Sequence, residues 1–188
     1  LKNVTITKNT GVTAQGGVAV AAGTTNLINT IVAGNVSIAQ PDCAGTFVSG
    51  GNNLIGISNC TGFGTATNDQ VGSSATPINP QLGVLANNGG TTQTHALLAG
   101  STAIDRGKAT DCPTNDQRGT IRPRDGDNNG SLVCDIGAFE LVNPASANIG
   151  VALTDTPDPV VVGTNYTYTM TISNAGPNTA TNVTSELT

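Results

Sequence analysis

Asp125, Asp127 and Asn129 occupy the first, third and fifth positions of the run DGDNNG, and Gly130 closes it. Short oxygen-bearing side chains at alternate positions, with a glycine at the sharp turn, are how a calcium loop converges on a hard cation. An EF-hand loop carries a bidentate glutamate at its twelfth position, which is Ile136 here, and Asp135 stands one place early. Asp125, Asp127, Asn129 and Asp135 are therefore the candidate metal ligands, and calcium is the one cofactor they suggest, though nothing requires it. The competing reading is a set of Asx-turns in which these side chains accept from backbone N–H groups. Arg118, Arg122 and Arg124 would then balance the charge.

Acid–base chemistry has fewer candidates. Glycoside hydrolysis by the usual route needs two carboxyl groups flanking the scissile bond. Before residue 105 the chain offers only Lys2, Lys8, Asp42 and Asp69, whereas Asp105, Arg106, Lys108, Asp111 and Asp116 follow closely on one another. That second stretch is also where a fold of this kind needs polar groups to finish it, so no catalytic residue is assigned. His95 is the single histidine, and no nucleophile motif accompanies it. No glycine-rich loop leads into a helix to cradle phosphate. With a net charge of -5 and few aromatic residues, the chain lacks the basic stripe and stacking platforms of a nucleic-acid partner.

The elements that would position these residues read as all-β. Thr and Val favour strands, and abundant Gly and Asn supply turns at positive φ. LKNVTITKNT at residue 1 aligns with LINTIVAGNV at residue 27, with weaker echoes at Leu54 (LIGISN) and Leu82 (LGVLANN). The spacings of 26, 27 and 28 residues suit coils of a parallel β-helix, with Asn9 and Asn35 paired along its axis. Charge gathers between Asp105 and Glu140, where the cap of such a fold is expected.

Four cysteines allow three pairings. Cys43–Cys60 and Cys112–Cys134 close the shortest loops, each removing on the order of 3 kcal/mol of unfolded-state entropy in the simple chain model. Bridges imply an oxidising compartment. After a joint at 143–148, NYTYTMTIS alternates, with Tyr166, Tyr168, Met170 and Ile172 on one face and threonines on the other. That is a half-buried antiparallel strand, with turns expected at 157–159 and 174–178. The expected organisation is residues 1–142 as coils with cap, 143–148 as linker, and 149–188 as the first strands of an incomplete Ig-like sandwich. The chain reads as a piece of a longer protein.

PINPQLGVLANNGGTTQTHALLAGSTAID, then CPTNDQRGTIRPRDGDNNGSLVCDIGAFE, resembles the C-terminal part of the choice-of-anchor Q family of bacterial surface proteins. NTIVAGN, DCAGTFVSGGNNLIG and NDQVG are similar to that family's preceding coils, so the resemblance covers roughly residues 1 to 142. It implies a right-handed parallel β-helix in the style of polymorphic outer-membrane proteins. Residues 149–188 resemble the start of a conserved-repeat Ig-like domain of bacterial surface proteins. Together they imply a non-catalytic structural or adhesive module, extracellular or on the bacterial cell surface, with a glycan or protein ligand. Independently of the resemblance, the acidic charge argues against nucleic acid, and no apolar run in this stretch is long enough to span a membrane. The alternative is the C-terminal part of a β-helix carbohydrate-active enzyme, a polysaccharide lyase or hydrolase, with its catalytic coils upstream.

Overall fold

The computed structural model describes residues 1–12, 14–64, 67–143, 149–156, 159, 161–175, 180 and 182–186. The chain divides into two units, Leu1–Asn143 and Pro144–Thr188. The expected linker and the turns around 157–159 and 174–178 fall largely outside the described residues.

In the first unit, β1 (Thr5–Ile6), β2 (Val18–Ala19), β3 (Thr25–Ile28), β4 (Ile31–Val32), β5 (Cys43–Gly51), β6 (Leu54–Ile55), β7 (Ser58–Thr61) and β8 (Gln70–Val71) pair in parallel. One sheet has the order β1-β4-β6-β8; the other has the order β2-β5-β3, with β7 joined to β5. Thr5 pairs with Ile31 and Ile6 with Val32, so the 26-residue sequence repeat is a strand register. Asn9 donates from Nδ2 to Asn35 Oδ1 (2.9 Å) at the same offset.

Strands β4 and β6 explain their own sequences. Ile31 and Leu54 pack in one apolar cluster with Leu97, Ile104, Ile136 and Phe139. Val32 and Ile55 pack in a second with Leu27, Cys43 and Phe47. A strand covered on both faces reads as continuous apolar residues, which is why IV and LI show no alternation. Ile136 and Phe139 come from the charged segment near the end of this unit, so that segment lies across one face of the β1-β4-β6-β8 sheet.

The expected architecture is corrected by these features. The chain is all-β, but it is not the right-handed parallel β-helix followed by the opening of an Ig-like sandwich. Among the described residues the strands form small separate sheets, and the register Thr5↔Ile31, Ile31↔Leu54, Leu54↔Gln70 shortens at every step. No constant repeat survives past β4, because the equivalent of Leu54 is Ile31 and not Leu27. Past Val71 no described residue adds a parallel strand. The echo at Leu82 is β9 (Leu82–Ala86), which pairs antiparallel with β10 (Thr94–Leu97). The Asn87–Gly90 stretch between them is turn chemistry, with Gly89 and Gly90 at φ 93° and 82°. A short apolar run fits either pairing, and the turn decides.

In the second unit β11 (Ile149–Thr156) and β12 (Thr167–Asn174) form an antiparallel ribbon. Val151 opposes Ile172, Leu153 opposes Met170 and Asp155 opposes Tyr168, while on the other face Thr154 opposes Thr169 and Thr156 opposes Thr167. β12 has the antiparallel pairing and the alternation of residue types, but it is not half-buried: Tyr168 and Ile172 are exposed, and within the strand only Met170 is partly covered. The described residues show no second sheet against it, so the sandwich expectation is replaced by a two-stranded ribbon.

Candidate functional site

Four asparagines stand two residues before the strands of the first sheet. Asn3, Asn29, Asn52 and Asn68 precede β1, β4, β6 and β8, with φ of 53°, 48°, 57° and 56°. Asn tolerates this left-handed region better than most residues, because its short amide can bond locally. Three of the four amides clasp the backbone that crosses the sheet. Asn52 Nδ2 donates to the Arg106 carbonyl (2.8 Å), Asn29 Nδ2 to that of Lys108 (3.2 Å), and Asn3 Nδ2 to that of Asp111 (3.0 Å). Asn29 Oδ1 also accepts from the Lys108 N–H (2.7 Å). These clasps hold residues 106–111 against the sheet.

The charged residues downstream turn inward. Asp116 accepts from Arg118 Nε (2.8 Å) and from the Glu140 N–H (2.9 Å), and Arg118 lies 3.5 Å over the Phe139 ring. Arg122 Nη2 donates to the Gly137 carbonyl (2.9 Å) and Nη1 to Asn3 Oδ1 (3.2 Å). Glu140 Oε1 accepts from the Arg124 N–H (2.7 Å), and Oε2 from the Asp135 N–H (3.0 Å). Asp135 in turn accepts from the Asp105 and Leu141 N–H groups. Its fully buried position pushes its carboxyl up to about 7, against those donors, and the Glu140 charge adds to the rise. Glu140 is also raised by burial, against the Asp135 N–H and the Arg122 charge. For Asp116 burial acts upward, but the donors from Glu140, Arg118 and Thr120 together hold it below its ordinary value.

Of the four expected metal ligands, the structure brings Asp125, Asp127 and Asn129 into one loop. Their oxygens are engaged by the loop's own backbone: Asp125 accepts from the N–H groups of Asn129 (3.0 Å) and Gly130 (2.8 Å), and Asp127 from that of Asn129 (3.0 Å). Asp135 lies apart, in the buried network. In its place Asp105 approaches, with carboxylate oxygens of Asp105, Asp125 and Asp127 within 4.8 Å of one another. Asp105 accepts from the Gly126 (3.0 Å) and Asp127 (2.9 Å) N–H groups. Burial raises its carboxyl, and the neighbouring Asp127 charge adds to this. Sequence reasoning had no means to join Asp105 to a loop twenty residues on. The arrangement is that of Asx-turns docked on Asp105, and these three carboxylates are the group that could meet a hard cation.

Four further candidates, Lys2, Lys108, Asp111 and His95, have partners within the fold. Asp111 pairs with Lys2 (3.1 Å) and Lys108 (3.5 Å), and His95 Nδ1 meets the Gly83 carbonyl (2.8 Å). Cys43–Cys60 and Cys112–Cys134 are both disulfides, the pairing of shortest loops. The first ties β5 to β7 within the second apolar cluster. The second joins Cys112, just past the clasped segment, to Cys134, just ahead of Asp135.

A cleft of about 830 Å³ is lined by Asn52, Asn68, Gln70, Thr102, Asp105 and Asp127, among others.

No protein-family model, curated protein or solved structure matches this chain. Its function is therefore argued from its own residues. No helix among the described residues is long and apolar enough to cross a membrane. Two disulfides fit a chain that folds in an oxidising environment.

Proposed function

We propose that this chain is a non-catalytic structural and adhesive module of an exported bacterial cell-surface protein. The observation that carries the reading is the use made of its ionisable groups. Asp116, Asp135 and Glu140, with Arg118 and Arg122, are spent on one another and on backbone N–H groups inside the fold. A general acid or base must instead reach the proton it moves. The two disulfides support export, and the resemblance of residues 1–142 to choice-of-anchor Q surface proteins supports the bacterial surface. Its partner would be an extracellular glycan or protein.

Antibody labelling of intact source cells, before and after protease shaving, tests this. Surface label that shaving removes is the expected result. Label that appears only after lysis would sink the proposal.

A further inference from the structure

We infer that the cleft beside Asn68 and Arg106 binds a neutral glycan through the hydroxyls of its sugar rings. This rests on the adhesive reading above and assigns that reading a site.

The asparagine column supplies the first argument. Asn3, Asn29 and Asn52 each clasp a carbonyl of residues 106–111, and Asn68 repeats their position and backbone conformation before β8. Its amide has no partner among the described residues, and it lines the cleft. The fourth clasp is thus formed and open.

The second argument is the neighbouring side chains. The Arg106 guanidinium makes neither an ion pair nor a hydrogen bond among the described residues, and neither does the Thr102 hydroxyl. Yet their backbones are pinned, because the Arg106 carbonyl accepts from Asn52 Nδ2 (2.8 Å) and the Thr102 carbonyl from Gln70 Nε2 (2.7 Å). The pinned backbone fixes where these side chains leave the chain, and their polar ends are open to a ligand.

The lining chooses the ligand. The open Asn68 amide and Arg106 guanidinium are planar groups whose paired polar atoms match vicinal hydroxyls. Asp69, Asp105 and Asp127 outnumber Arg106, so an anionic ligand is disfavoured. A peptide would want an apolar anchor or a sheet edge to extend. Among the described residues the wall has only the largely buried Ile104 as a large apolar side chain, and the β8 edge is two residues long. A volume of about 830 Å³ suits one or two sugar rings of a longer chain.

The test uses the whole 188-residue chain on immobilised neutral polysaccharides (dextran, mannan, laminarin), on polygalacturonate, and on collagen- and fibronectin-coated surfaces. Saturable binding to a neutral polysaccharide is expected. Arg106→Ala with Asn68→Gly should weaken it about tenfold or more at an unchanged melting midpoint; glycine keeps the left-handed φ. Full-strength binding by that variant, or a preference for polygalacturonate, overturns the inference. Binding only to the protein surfaces overturns it while leaving the adhesive reading standing. Binding to none of them removes both.

Discussion

Nε of Arg122 lies 3.2 Å from Oε2 of Glu140, and neither side chain reaches solvent. Nε makes no aligned hydrogen bond, so the pair is held by charge and by the other donors and acceptors around it. Breaking one partner leaves the other charge buried. Arg122→Met should therefore cost about 3–5 kcal/mol in urea unfolding. The double variant Arg122→Met with Glu140→Met should recover part of that loss. A single variant as stable as the parent would show that water reaches the pair.

Asp135 makes stability depend on pH in a stated direction. Its folded-state carboxyl titrates near 7, against 3.8 as its ordinary value. Between those values the folded chain holds a proton that the unfolded chain has lost, so stability falls as pH rises from about 4 to 7. Glu140, also raised, acts in the same sense. The slope should approach at most about 1.4 kcal/mol per pH unit for Asp135. Melting midpoints at pH 5 and pH 8 measure it, and Asp135→Asn should flatten the profile. Asp116, whose carboxyl is lowered, opposes this only at lower pH, where its stabilisation is lost.

Asn29→Gly keeps the left-handed backbone and deletes the clasp on Lys108. With a buried amide lost against Lys108 and Asp111, about 2–3 kcal/mol of destabilisation is expected. Hydrogen exchange should quicken at the Lys108 amide first. Uniform quickening across the unit would mean that the column is not a local latch.

Reducing both disulfides should lower the melting midpoint, on the order of 3 kcal/mol per loop in the chain-entropy model. Cys43→Ala with Cys60→Ala isolates the bridge inside the apolar cluster. An unchanged midpoint on reduction would make the bridges dispensable.

Calcium and a chelator should leave the melting midpoint of the chain unchanged. The oxygens of Asp125, Asp127 and Asp105 already receive N–H donors from Gly126, Asp127, Asn129 and Gly130. A rise with calcium that Asp125→Asn abolishes would reverse this and make the loop a metal site.

Local signals carried much of this protein. The 26-residue alignment became the register of β1 on β4, because β-branched residues recur where strands pair side by side. The alternation of β12 gave its two faces, since side chains in a strand switch sides at each residue. The cysteine spacings pointed to the pairing found. The tertiary structure decided the rest. Leu54 pairs with Ile31, and Leu82 enters a hairpin, because apolar runs of two to five residues do not specify a partner. Asp105 joins the Asp125 loop while the Asp135 carboxylate is held instead by the Asp105 and Leu141 N–H groups, because burial and backbone donors act across the chain at distances that spacing does not encode. Asn68 looks like any exposed asparagine in the sequence; only beside Asn3, Asn29 and Asn52 is it an open clasp over a cleft.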